Sequence, residues 1–300
     1  MRGFFCVADG GNIDVKDLIR WFDDLSSRST VVVALSGGVD SSVVAAAAWR
    51  AVGVRATAVT ARSPSVAQWQ IEMASSVASS IGIAHRWIDT GETSRPDYIR
   101  NDRRRCFYCK QTLYDSLGRI AESFVASAPH RDVVLISGTN ADDLGDHRPG
   151  IRAGSIAGVR TPLADLQIGK SRVRRLAEEF GLPNAELPAS PCLASRIAYG
   201  TAVTVERLAM VERAEEIVRG WGFDICRVRL SFAGGRVRGS LEVVADRVGE
   251  LRRQMDADGG WALLRGVGFE DLVVDLAGFR SGKLNDPGEA LVSIGGTDGG

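Results

Sequence analysis

Between residues 30 and 166, short β-branched runs alternate with longer segments of helical period. The runs 31–35, 55–60, 86–89 and 132–137 predict strands, and 41–52, 66–81 and 110–126 predict the helices between them. Strands that are apolar on both sides and separated by helices imply a parallel sheet covered on both faces. Ligands of such sheets bind beyond the carboxyl ends of the strands. A further helix, 170–180, closes with Gly181 and Pro183, and 183–200 is rich in Pro, Ser and Ala without a clear period. The pattern resumes with a helix at 204–219, strands at 225–231 and 240–244, a helix at 245–255 and a strand at 272–275. The fold class is therefore α/β. A parallel-sheet domain spans 14–182, a connector 183–203, a smaller C-terminal α+β domain 204–280, and a Gly-rich tail 281–300, expected to be mobile. No internal repeat is visible.

Composition narrows the function. With 45% apolar and 25% charged residues in 300, the chain can bury a core. Its longest apolar runs, 31–35 and 43–49, fall far short of the roughly 20 residues that cross a bilayer. The start lacks the apolar core of a secretory signal, so a cytoplasmic location and no membrane partner are expected. Lys plus Arg equals Asp plus Glu at 37 each, so no global field draws the chain to nucleic acid. The five cysteines, Cys6, Cys106, Cys109, Cys192 and Cys226, are an odd number. In a reducing compartment, metal or catalytic roles suit the clustered ones better than disulfides. Cys6 and Cys226 have no comparable setting and read as small structural residues.

Ser36-Gly37-Gly38-Val39-Asp40-Ser41-Ser42 follows the first strand and opens a helix. Glycines let the backbone approach an anion, while free amides and the helix dipole favour its charge. The hydroxyls of Ser36, Ser41 and Ser42 add neutral donors. No Lys follows the glycines, so this is not a Walker loop. A loop that grips pyrophosphate suits attack at the α-phosphate of ATP. After the fourth strand comes Gly138-Thr139-Asn140-Ala141-Asp142-Asp143, then Asp146-His147-Arg148-Pro149-Gly150. Asp142, Asp143 and Asp146 are candidate Mg2+ ligands, the alternative being a turn with solvated acids. Arg148 faces a phosphate or pairs with one of them.

Arg103-Arg104-Arg105-Cys106-Phe107-Tyr108-Cys109-Lys110 sets a Cys-x-x-Cys at a helix start beside a dense positive cluster, a setting that lowers thiol pKa and predicts thiolates. A zinc knuckle or a redox pair has the same letters. Pro191-Cys192-Leu193-Ala194-Ser195-Arg196 supplies a third thiol beside another Arg. Three thiolates around one space suit a [4Fe-4S] cluster with one iron open for hydrosulfide.

Together these motifs resemble the LarE-type ATP-dependent sulfur transferases of the PP-loop ATP-pyrophosphatase superfamily, over residues 18 to about 279. The resemblance implies an adenine nucleotide alpha hydrolase-like domain and ATP with Mg2+. It further implies adenylation of pyridinium-3,5-biscarboxylic acid mononucleotide and sulfur transfer to each acyl-adenylate. The product belongs to the nickel-pincer nucleotide cofactor of lactate racemase. Family members draw sulfur from the connector cysteine, which becomes dehydroalanine, or from a cluster; Cys106, Cys109 and Cys192 together favour the cluster. A homo-oligomer, trimer or hexamer, is implied as well.

In the second domain, Arg227 and Arg229 share one strand face and suit the substrate's phosphate or carboxylates. Lys110 is a further substrate or nucleotide contact. Glu215 and Glu242 are lesser candidates for the same site, and each reads more readily as an ordinary surface acid. His147 stands where the family leads one to expect an aromatic hydroxyl, and Ala198 where it has Pro. A transfer-RNA thiolase, an ammonia-using amide synthetase and a nucleotide-binding regulator without chemistry are the rival readings.

Overall fold

Strand β1 (Thr30–Ala34) is buried along nearly its whole length, and the larger unit is built around it. The computed structural model describes residues 14–25, 27–145, 149–257 and 259–279. Side chains alternate across the strand: Val31 and Val33 enter one apolar cluster and Val32 another on the opposite face. Strand β2 (Ala56–Arg62) does the same, with Ala58 on the first side and Val59 on the second. The four-stranded sheet has the order β3-β2-β1-β4 and is parallel throughout, as the sequence pattern predicts. Strands β3 (Ala84–Asp89) and β4 (Val133–Ile136) are its edges. No residue of β3 is fully buried, which explains its polar composition.

One face is covered by α1 (Val15–Asp23), α2 (Val39–Val52), α3 (Gln68–Ile81) and, beyond β4, α9 (Lys170–Glu179). Helix α1, which the strand-and-helix pattern leaves unassigned, is fixed by an Asp14–Asp17 capping box and buries Leu18 and Phe22, four apart on one side. The run of four alanines in α2 lets it lie buried on nearly every side. On the other face lies α5 (Arg105–Ser127), with Tyr114 and Leu117 in the cluster around Val32. Helix α5 begins five residues before its predicted start, so Cys106 and Cys109 both belong to it. Short helices α4 (Pro96–Ile99), α6 (Ala141–Leu144), α7 (Pro149–Ile156) and α8 (Pro162–Asp165) complete the connections.

The chain divides into two compact units: residues up to Ala194 together with Ala202–Ala209, and Ser195–Thr201 together with the residues from Met210. The connector is thus shared between them. Helix α10 (Val205–Gly220) precedes the second unit's sheet, ordered β5-β6-β7. There β5 (Cys226–Ala233) pairs antiparallel with β6 (Arg236–Val243), and β6 pairs parallel with β7 (Asp271–Val274). Between β6 and β7 run α11 (Val248–Ala257) and α12 (Gly260–Val267). The expected single helix 245–255 opens as a 3-10 turn, Ala245–Arg247, and α12 is an addition to the pattern. The tail 281–300 lies outside the described residues.

The two faces make the core sensitive to truncation. Leu117→Ala is expected to lower unfolding stability by about 2–5 kcal/mol, measured as a reduced urea midpoint at unchanged slope.

Candidate functional site

In register, Val33 of β1 pairs with Ala58 and Ile136, so the carboxyl ends of β1 and β4 stand side by side. The loop after β1 therefore meets the loop after β4. Gly37 has φ +78°, and a Cβ there would lie 2.5 Å from the Gln70 carbonyl oxygen. At Gly138 a Cβ would lie 2.6 Å from the Ser41 amide nitrogen. Only glycine fits at either place.

Hydroxyls tie the loop to itself. The Ser36 amide donates to Ser41 Oγ at 3.1 Å, and Ser41 Oγ and Ser42 Oγ each donate to the Gly38 carbonyl at 2.9 Å. The Gly38 amide donates weakly to Ser36 Oγ at 3.4 Å. Two asparagines, to which the sequence alone gives no role, support this loop from outside. Asn184, 2% exposed, donates through Nδ2 to the Gly37 carbonyl at 2.8 Å and to Ser42 Oγ at 2.9 Å. Asn140 donates to Asp40 Oδ1 at 2.7 Å. Asn184 is a single polar residue in an aperiodic stretch, and nothing local marks it.

Burial raises the Asp40 pKa; the Asn140 hydrogen bond opposes it, and the charge of Asp143 adds to the rise. Two coupled carboxylates at the mouth of an anion cradle fit a divalent cation, which takes hard oxygen ligands. Asp143 also pairs with Lys170 Nζ at 3.5 Å and forms a capping box with Asn140. Asp142 is occupied differently: its Oδ2 accepts the Lys170 amide at 2.7 Å and so tethers the start of α9. Thr139 Oγ1 lies 3.2 Å from Ser137 Oγ. Asp146, His147 and Arg148 lie outside the described residues, as does Cys6.

Cys106, Cys109, Cys192 and Lys110 come together in the same unit, close enough that their charges act on one another. The expected thiolates are not what the surroundings favour. Cys109 is pushed up to about 12, by burial first and then by Cys192, with Lys110 opposing. Cys106 is raised for the same two reasons, against Arg105 and Lys110. The sulfur of Cys106 keeps an open surface yet sits amid enough protein to be desolvated, and this outweighs the arginines. Of those arginines, Arg104 pairs with Asp102 at 3.1 Å and Arg105 hydrogen-bonds Asn101. Lys110 keeps an exposed surface, yet nearby protein desolvates its cation; Tyr114 and the three thiols outweigh this and raise its pKa. Soft sulfur donors are the type of ligand a thiolate-bound cluster takes. Among the described residues, no group of three or more His, Cys, Asp or Glu is arranged to hold a metal ion.

The second unit holds a buried charge network. Arg227 and Arg229 do share a face, with Val228 and Leu230 fully buried on the other. Arg229 Nε donates to Glu242 Oε1 at 2.6 Å, and Arg227 stacks over the Phe279 ring at 4.2 Å. Burial, then Arg196 and Arg229, lower Arg227 to about 10. Glu215 and Glu242 are not surface acids: both are 0% exposed. Glu215 binds Arg196 Nε at 2.8 Å, Arg219 at 2.8 Å and the Val228 amide at 3.2 Å. So crowded a set of guanidiniums can take an oxyanion. No described helix is long and apolar enough to cross a membrane.

A family model described as NAD synthase matches residues 15–194. An uncharacterized protein of Synechocystis sp. is 38% identical, over 90% of this chain and 96% of its own length. The pyridinium-3,5-bisthiocarboxylic acid mononucleotide synthase of Lactiplantibacillus plantarum is 34% identical, over 87% and 91%. A component of the glutamine-hydrolysing GMP synthase of Thermococcus kodakarensis is 27% identical, over 85% and 90%.

Two substitutions separate support from chemistry. Glu215→Ala, which leaves Arg196 buried without its carboxylate, is expected to cost about 3–5 kcal/mol in denaturant unfolding. A carboxyl whose folded pKa is raised is destabilising once ionised; the penalty is absent below the unfolded value and grows as pH rises through the folded one. Asp40→Asn is therefore expected to raise the Tm at pH 7, with the gain shrinking towards pH 3, as followed by calorimetry.

Proposed function

The chain belongs to the LarE-type branch of the PP-loop family, ATP-using enzymes, and from that premise we propose that it is an adenylating sulfur transferase. Its acceptor in this reading is pyridinium-3,5-biscarboxylic acid mononucleotide, and its product serves the nickel-pincer nucleotide cofactor of lactate racemase. The observation that carries the proposal is the gathering of Cys106, Cys109, Cys192 and Lys110 in the unit that also contains the glycine phosphate loop.

ATP lies with its phosphates against the main-chain amides of residues 36–42, the hydroxyls of Ser36, Ser41 and Ser42 completing the cradle together with Gly138 and Thr139. Asp40 and Asp143 would hold Mg2+, which when bound would neutralise phosphate charge, and Asp142 anchors the start of α9, whose Lys170 pairs with Asp143. A substrate carboxylate oxygen attacks the α-phosphorus, and pyrophosphate leaves into the cradle. The acyl-adenylate is then attacked at its carbonyl carbon by sulfur, and AMP departs with the bonding electrons. With Cys192 as donor the product is a thioester; loss of the Cys192 Cα proton and cleavage of its Cβ–S bond leave dehydroalanine on the chain and a thiocarboxylate on the substrate. Cys106, Cys109 and Cys192 are the residues that would hold a [4Fe-4S] cluster, which when bound supplies a hydrosulfide in place of the Cys192 sulfur. Lys110 neutralises charge as sulfur approaches; Arg227 and Arg229, in the second unit, are a pair whose chemistry suits a phosphate or carboxylates. Alignment of the reacting groups and neutralisation of charge supply most of the acceleration.

Amide formation with ammonia is a second reading, favoured by the NAD synthase match and the likeness to a GMP synthase component. The two part at one residue. Cys192→Ala is expected to keep acceptor-dependent pyrophosphate release within about threefold and to abolish thiocarboxylate, read by mass spectrometry of the products. An amide formed at the parental rate by that variant would reject sulfur transfer. Anaerobic purification with iron and acid-labile sulfide analysis, joined to intact mass before and after turnover, separates the sulfur sources. Loss of one sulfur and two hydrogens from the chain marks sacrifice of Cys192; unchanged mass with bound iron marks the cluster.

A further inference from the structure

Residues 63–70, from the end of β2 into the first turn of α3, reach both partners of this chemistry. The Gln70 main chain lies against the phosphate loop, its carbonyl oxygen standing 2.5 Å from where a Cβ on Gly37 would be. Its side chain reaches the connector: Nε2 donates to the Ser190 carbonyl at 2.9 Å. Three residues on, the Leu193 amide donates to the Ser65 carbonyl at 2.8 Å. Cys192 is thus bracketed on both sides by hydrogen bonds to one short segment.

That segment is braced from beneath. The Ser65 amide donates to Ser63 Oγ at 3.0 Å, and Ser63 Oγ donates to buried Glu92. Ser65 Oγ and the hydroxyl of buried Tyr98 are 2.5 Å apart. Leu193 and Ala194 are buried just beyond the cysteine, so the downstream side of the bracket is secured by packing. On the upstream side the stretch 185–190 is Ala-Glu-Leu-Pro-Ala-Ser, without regular structure; Arg174 holds its beginning, donating to the Ala185 carbonyl at 3.2 Å and the Leu187 carbonyl at 3.5 Å, and the Gln70 amide holds its end at Ser190.

We propose that Gln70 is a positioning residue: by holding the Ser190 carbonyl from a backbone seated on the phosphate loop, it sets the distance between the Cys192 sulfur and the acyl-adenylate. The inference rests on the sulfur-transfer reading above. Gln70 acts through Ser190 and contacts neither reacting atom. Its loss leaves the cradle intact and misplaces the sulfur, and a displacement of about 1 Å in a reacting group can cost about a hundredfold in rate.

The test uses the full chain with Gln70→Ala and Gln70→Glu, the latter similar in size but unable, as a carboxylate, to donate to a carbonyl. Expected for both is acceptor-dependent pyrophosphate release within about twofold of the parent, and a fall of about tenfold in thiocarboxylate formed per pyrophosphate, the difference appearing as AMP and unchanged acceptor. In protein without ATP, alkylation of Cys192 by N-ethylmaleimide, followed by peptide mass spectrometry, is expected to quicken in both variants while that of Cys106 stays as in the parent. An unchanged ratio of thiocarboxylate to pyrophosphate, or its restoration by Gln70→Glu, overturns the proposal. Should the parent itself release pyrophosphate and form no thiocarboxylate, the sulfur-transfer reading falls. Cys192 alkylation then decides the Gln70 contact alone: quickening upholds it, and an unchanged rate overturns it.

Discussion

Everything in the first unit depends on main chain meeting main chain at the ends of β1 and β4, where Gly37 and Gly138 leave no room for a side chain. A loop that presents amides to an anion cannot satisfy all of them internally; here the Ser36 and Gly38 amides turn to loop hydroxyls, and the shape is held further through the carbonyls. The structure does this with Asn184 on the Gly37 carbonyl, Ser41 and Ser42 on the Gly38 carbonyl, and the Gln70 backbone packed against Gly37. The loop is therefore shaped without a ligand, and an anion bound there would not have to order it.

The same unit disfavours charge on several of its titratable groups. Desolvation raises the pKa of Cys109 and of Cys106, although a helix start and arginines lie close by. Asp40 is disfavoured as a carboxylate by burial and by Asp143. A cation between the acids, or an electrophile before the sulfurs, would reverse these preferences, which ties the charge state of the site to its occupancy. The second unit handles charge in the opposite way. It buries Glu215 between Arg196 and Arg219, and Glu242 beside Arg229, pairs that are costly to break by removing one partner. Burial and the neighbouring Arg196 and Arg229 disfavour the cation of Arg227, which stacks on Phe279.

Much of this was legible in the sequence, because period and motif are local. The β-branched runs 31–35 and 55–60 lie within a residue or two of β1 and β2, and the run Ser36–Ser42 could be read as a strand-to-helix anion loop from its glycines and hydroxyls alone. The Cys-x-x-Cys run could be read as standing at a helix start; that both cysteines lie within α5, three apart, came from the structure. Chain order also settled the parallel sheet, since helices between strands leave no other short connection.

Tertiary structure decided what no local window contains. Asn184 reaches Gly37 across 147 positions, and Gln70 reaches Ser190 across 120, so neither role is written in neighbouring residues. Glu215 and Glu242 read as surface acids because a carboxylate is ordinarily solvated; only folding shows the arginines that replace that water. Cys106 and Cys109 were expected ionised from their charged neighbours, whereas desolvation outweighs those neighbours and raises the pKa of both. Charge along a chain is visible in its letters, whereas desolvation depends on how many atoms of distant segments fold around a group.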